Sequence, residues 1–260
     1  MVSSELAIHR NADGGFGPVT GAPSEPESTA FVALAFGDRG ARAWVGSHQN
    51  ADGSVEMRVG PVVRDVSPLA ALALGSGGAR ERALDHTVAF EGHNGDDPLV
   101  SAFGWPWTED THGWTEPTAW GLLALRTLRP SASDRIADAL ALLEERECVG
   151  GGWNYGAREI FDVDLAPFVQ TTAVALLALG DLSPSLTARG VAWLERSWRN
   201  ESAGTLTLAA ATCALRAARS GQASAALHAL ASRKPSTLND TVASCWLHLA
   251  TTGSGPWGAA

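Results

Sequence analysis

Apolar residues along this chain fall into two alternating patterns. The first is a nearly continuous Ala/Leu run opened by a Ser or Thr. It appears at Ser28-Thr29-Ala30 through Phe36, Ser67-Pro68-Leu69 through Leu74, Thr118-Ala119-Trp120 through Leu125, and Thr172-Ala173-Val174 through Leu179, with looser copies at Thr207 through Leu215 and Thr241 through Leu249. A run with no polar stripe predicts a helix buried on all sides. The second pattern lies between these copies and alternates apolar with polar positions: Ala43-Trp44 up to Gln49, Ala139 up to Arg146, and Val191 up to Trp198. It predicts helices that bury one face and leave the other in water. Each is followed by a turn rich in Gly, Asn and Asp: Asn50 to Gly53, Gly150 to Trp153, and Asn200 to Gly204.

The repeating unit is therefore an amphipathic helix, a turn and a fully apolar helix, with the apolar copies starting at residues 28, 67, 118, 172, 207 and 241. Units of this kind stack because none buries its apolar face alone, and both an open solenoid and a closed ring satisfy the requirement. The turn His9-Arg10-Asn11-Ala12-Asp13-Gly14 recurs almost verbatim at His48-Gln49-Asn50-Ala51-Asp52-Gly53. The chain is thus expected to be a single domain over 1–260, opening within or after the first outer helix. His9 and His48 recur with the turns and read as structural.

Trp44, Gln49, Asp52 and Gly53, the Asp13-Gly14-Gly15-Phe16 and Gly150-Gly151-Gly152-Trp153 turns, and the Thr-Ala-opened apolar helices resemble the prenyltransferase/squalene-oxidase repeat. This is the repeat of the terpene cyclase and protein prenyltransferase superfamily, including squalene-hopene-type cyclases. The resemblance runs over nearly the whole chain. It implies an all-α fold, an α/α toroid of about five to six helical hairpins with inner and outer layers, whose centre or mouth holds an isoprenoid or similar apolar molecule among aromatic side chains. Fold does not fix function. Such toroids serve as cyclases, as prenyltransferase β subunits that require an α-helical partner, and as non-catalytic modules that bind a lipid, peptide or partner protein.

Class II cyclases protonate an alkene or epoxide with an Asp-x-Asp-Asp-Thr-Ala motif, and no complete copy is present. The nearest approach is Glu25-Pro26-Glu27-Ser28-Thr29-Ala30; Glu116-Pro117-Thr118-Ala119 keeps one acid. Aligning the repeats puts Glu27, Asp65, Glu116, Gln170 and Asn239 two residues before the Ser or Thr, so they are expected along one rim. Apposed carboxylates there raise one another's pKa, which suits a general acid, and Glu27, Asp65 and Glu116 are the catalytic candidates. The same residues also suit helix capping, and the two roles can coexist. Trp105, Trp107, Trp114, Trp120, Trp153, Tyr155, Phe168 and Gln170 are the candidate pocket lining, with core packing the alternative for the aromatics.

Composition narrows the field. With 45% hydrophobic residues a sizeable core is available, and a net charge of -9 with no basic cluster argues against nucleic acid as a partner. Three widely spaced cysteines suggest neither a disulfide framework nor zinc. Asp240, Cys245 and His248 are the residues to inspect for zinc, though Asp240 lacks the family's Asp-x-Cys spacing. Asp162 and Asp164 form a D-x-D pair that could hold magnesium. No apolar run reaches transmembrane length and Met1 to Arg10 lacks a signal-like pattern, so a cytoplasmic protein is expected, with an apolar small molecule, a protein partner or a second copy as its associate.

Overall fold

A computed structural model of the chain describes residues 9–93, 103–199, 204–233 and 239–258. Residues 1–8 of the N-terminal reading and residues 200–203 of the third turn lie outside the described residues. The described residues are mostly helical, as the apolar patterning requires. Among them, six helices are largely buried: α1 (Pro26–Phe36), α3 (Ser67–Ala73), α5 (Thr115–Leu128), α7 (Val169–Leu179), α9 (Thr205–Ala217) and α11 (Thr241–Thr252). Five others bury one stripe: α2 (Arg39–Ser47), α4 (Gly78–Ala89), α6 (Ser133–Glu145), α8 (Pro184–Ser197) and α10 (Ala223–Ala231). In α2 the buried residues are Ala41, Trp44 and Val45, and in α8 they are Leu186, Gly190 and Leu194. The first set carries the three- and four-residue spacing, and the second the four-residue spacing, of a single helix face. No described helix is long and apolar enough to cross a membrane.

Each amphipathic helix packs on the buried helix before it, and the buried helices pack in the order α1, α3, α5, α7, α9, α11, with α11 packing back on α1. These neighbours run parallel. Arg126 in the last turn of α5 reaches Leu177 O at the end of α7 (3.0 Å), and Arg216 in α9 reaches Ala250 O in α11 (2.7 Å). At the other end Gln170 of α7 lies 3.5 Å from Thr207 of α9. All six helices therefore start on one face, called here the mouth, and end on the opposite one.

The patterning did not show two short hairpins. Antiparallel strands β1 (Glu56–Val59) and β2 (Val62–Asp65) precede α3, and β3 (Glu159–Ile160) and β4 (Val163–Asp164) precede α7. The first explains a departure in the repeat. Aligned by sequence, Asp65 belongs in a first helical turn like Glu27 and Glu116, yet it lies in a strand. Pro68 has no N–H to donate and fits only the first turn of a helix, so α3 starts at Ser67, and Val62 and Val63 upstream favour strand.

Candidate functional site

The Ser or Thr of each repeat has a definite structural job. Thr29 Oγ1 accepts the Phe16 N–H (2.9 Å), Ser67 Oγ that of Val55 (2.8 Å), Thr118 Oγ1 that of Trp105 (2.9 Å) and Thr172 Oγ1 that of Trp153 (2.9 Å). The carbonyls of those four turn residues in turn accept the N–H groups of Glu25, Val66, Trp114 and Phe168, which are the N-caps of α1, α3, α5 and α7. A two-bond clasp thus ties each of these four turns to the helix that follows. Gly152 lets the chain pass: its φ is +84° and a Cβ there would stand 2.9 Å from Thr172 Oγ1.

Within this frame Glu27 and Glu116 are the second residues of α1 and α5, and their charges interact across the mouth. Burial raises the Glu116 carboxyl to about 7; the Glu27 charge adds to the rise, while Arg64 and a hydrogen bond from the Trp120 indole oppose it. Glu27 is likewise raised, first by burial and then by Glu25 and Asp240, against the pull of Arg64. Both glutamates keep some accessible surface although protein surrounds them, as groups at the floor of a concave mouth do. The guanidinium of Arg64 lies 3.9 Å from the centre of the Trp107 ring, so the cation facing the acid pair is held on an aromatic plate.

Below the acid pair the space between the described helices is filled by side chains. Phe31, Trp120 and Trp246 fill the centre, with ring centroids 5.6, 6.0 and 6.1 Å apart, and Trp257 stacks under Trp246 at 5.8 Å. The recess at the mouth, lined in part by Glu27, Asp65, Trp107 and Trp120, has about 10 Å³ of free volume, room for about one water. Of the aromatic residues expected to line a cavity, Trp120 instead helps to fill the centre, while Trp105 and Trp107 border the small recess. Trp105 and Trp153, 1% and 0% exposed, are bolts: their indole N–H groups donate to Thr87 O (2.8 Å) and Leu143 O (2.7 Å) of the preceding amphipathic helices.

The other rim candidates are engaged by partners of their own. Asp65 is occupied: it accepts from Ser67 Oγ (2.7 Å) and the Ser67 N–H (3.1 Å) and meets His86 Nε2 at 2.9 Å. Burial opposes protonation of His86, but the hydrogen bond and charge of Asp65, with Asp52 and Glu56, hold its pKa above the ordinary value. Asn239 accepts the Thr20 N–H, and Gln170 faces Thr207. Trp114, Tyr155 and Phe168 are exposed at the mouth, Tyr155 and Phe168 with ring centroids 5.1 Å apart.

Neither metal candidate builds a site. Asp162 and Asp164 stand on the exposed β3–β4 hairpin, Asp240 caps α11 through the Ala243 N–H (2.9 Å), Cys245 is sealed in the core and His248 packs on Phe36. Among the described residues no group of three or more His, Cys, Asp or Glu side chains is placed to hold a metal ion. Sequence reasoning missed Arg64, His86, Phe31, Trp246 and Trp257. Only the positions of Phe31 and Trp246 within apolar runs offered a signal for any of these. Compared with known proteins, the chain matches no family model and no curated protein.

Proposed function

We propose that this chain is an α/α toroid that works as a recognition module, binding a basic peptide segment of a partner protein across its acid-bearing mouth. The closed succession of parallel buried helices supports the toroid. The observation that carries the function is the filled centre: with Phe31, Trp120 and Trp246 in mutual contact and about 10 Å³ free in the recess above them, the centre has no room for an isoprenoid, and the chemistry on offer at the mouth is at its surface. There, Glu27 and Glu116 face one cation, Arg64, already engaged by Trp107. A Lys or Arg side chain entering the mouth would relieve the repulsion between the two carboxylates and lower their pKa values. Around them Trp114, Tyr155 and Phe168 offer aromatic surface of the kind enriched in interface anchors.

The hairpin tip adds to this reading. Phe161 is 95% exposed and, with Asp162, forms a two-residue turn in which both φ angles are positive, 52° and 60°. Positive φ costs a bulky residue roughly 1–2 kcal/mol, and Gly or Asn would avoid it. An aromatic held at that cost in water is a natural anchor for a partner.

A second reading has one observation in its favour. A carboxyl with a pKa near 7 beside a second carboxylate is a competent general acid, as acid-initiated cyclisation requires. Calorimetric titration with a Lys-rich octapeptide, alongside incubation with squalene followed by product analysis, separates the two. Salt-sensitive peptide binding that is lost in Glu27→Gln and Glu116→Gln is the expected result. Cyclised product that disappears in Glu116→Gln, with no peptide binding, would replace recognition by catalysis.

A further inference from the structure

The opposite face, where the buried helices end, carries a groove of about 760 Å³ between α7, α8, α9 and the segment after α11. This is the size of small-molecule sites. Leu176, Val191 and Ala188 give it apolar walls, and Trp257 closes one side while stacking on Trp246. Two guanidinium groups, Arg126 and Arg219, line it as well.

Arg126 is the unusual member. Its Nη2 donates to Leu177 O at 3.0 Å, but its Nε is sealed from water with no hydrogen-bond partner, and no carboxylate lies within ion-pair distance among the described residues. A buried, unpartnered N–H on a charged group destabilises the fold. Burial depresses the Arg126 pKa, and the Asp181 charge acts against that. Arg219, exposed at the rim, has φ +53°, a conformation that L side chains avoid. Of the two carboxylates on the walls, Glu195 already accepts a hydrogen bond from Ser220 Oγ (2.6 Å), and Asp181 is exposed.

From this combination we infer that the groove binds a single-chain amphiphilic carboxylate, its alkyl tail along α8 and Trp257 and its head at Arg126. The apolar walls account for the tail. The guanidinium has no carboxylate partner, and its Nη1, which makes no hydrogen bond among the described residues, is the group left to meet an anion; the flanking Asp181 and Glu195 favour a single negative charge over a doubly charged phosphate by repulsion. The site is separate from the mouth and does not depend on the function proposed for it.

Calorimetric titration with sodium dodecanoate, below its micellar concentration, and with dodecan-1-ol tests this. The carboxylate is expected to bind one-to-one and at least about tenfold more tightly than the alcohol, the least that one charge-assisted hydrogen bond supplies. Arg126→Met should bring the two ligands level, Ala188→Trp should abolish binding of both by filling the groove, and Glu116→Gln should change neither. Because Arg126 also caps α7, circular dichroism establishes that its variant is folded; should it unfold, Ala188→Trp and Arg219→Gln carry the test, the latter expected to weaken the carboxylate alone. Equal binding of acid and alcohol by the unmodified protein overturns the inference. So does the absence of dodecanoate binding, or undiminished binding in folded Arg126→Met or Ala188→Trp.

Discussion

The two faces of the helix array differ in the sign of the charge they gather and in how that charge is satisfied. At the mouth, Glu27 and Glu116 occupy first turns and Asp240 caps α11; at the far face, Arg42, Arg80, Arg126 and Arg216 donate to carbonyls at the ends of α3, α7 and α11. Parallel helices sort charge in this way, because their N-termini attract anions and their C-termini cations. The outcomes are not symmetrical. Arg42, Arg80 and Arg216 are satisfied by separate backbone carbonyls and Arg126 only in part, whereas the mouth brings Glu27 and Glu116 together and leaves their charge opposed mainly by Arg64. The far face uses most of its charge to lock helices together and leaves, of these four, only Arg126 open to a ligand; the mouth gathers two carboxylates that no such lock uses.

If the mouth owes its shape to the clasps rather than to its carboxylates, the largest effect should come from a bolt. Trp153→Ala removes a fully buried indole and its hydrogen bond to Leu143 O, and a loss of about 3–5 kcal/mol in urea denaturation is expected. Tyr155→Ala, two residues away and exposed, should stay within about 0.5 kcal/mol. A loss below about 1 kcal/mol for Trp153→Ala, or comparable losses for the two, would break the division of the mouth aromatics into structural and available sets.

That division is also where the sequence stopped being informative. Alternating apolar patterns located the helices, because burial on every side or on one side leaves a direct trace in residue type. The rim alignment correctly brought Glu27 and Glu116 to one face, since the repeat fixes their distance from the clasping Thr. It also brought Asp65 to the recess beside Glu27, though at the end of a strand rather than in a helix, because Pro68 delays the start of α3. Trp105 and Trp114 have the same composition signal, yet one is a bolt and the other is exposed. Which of them turns inward depends on the turn backbone, and that leaves no periodic trace. Trp257 stacks on a residue of the previous helix after the chain reverses at Gly253, a contact that no local pattern announces.

The charge at the mouth should be visible in the pH dependence of stability. Glu116 is raised from 4.5 to about 7, so the folded chain holds more protons than the unfolded chain between those values and loses stability as pH rises through them. Glu116→Gln cannot ionise and still accepts from the Trp120 indole. The variant is expected to exceed the parent in stability by on the order of 2 kcal/mol near pH 8, with the two curves meeting below pH 4.5. His86, also raised, adds stability that is lost as pH rises through its folded pKa, so a residual slope should survive in the variant. Identical pH profiles for variant and parent would mean that Glu116 is not the strained group.

The smallest effect is the one that separates the two faces most cleanly. Arg216 donates to Ala250 O at 2.7 Å and to Thr251 O at 3.4 Å, tying the end of α9 to the end of α11 just before the chain reverses. Arg216→Met keeps much of the packing and removes the charge and both bonds, so a loss of about 1.5 kcal/mol is expected. Arg216→Lys, which retains the charge but presents a single ammonium to two carbonyls, should fall between Met and the parent. A guanidinium does not titrate in the working range, so the loss should be flat from about pH 5 to pH 9, in contrast to the slope produced by Glu116. Urea denaturation of both variants across that range measures it. A loss that changes with pH would show that the far face is coupled to the mouth, through the packed rings of Trp257, Trp246 and Trp120, the last of which donates to the Glu116 carboxylate. The two faces would then have to be treated as one site.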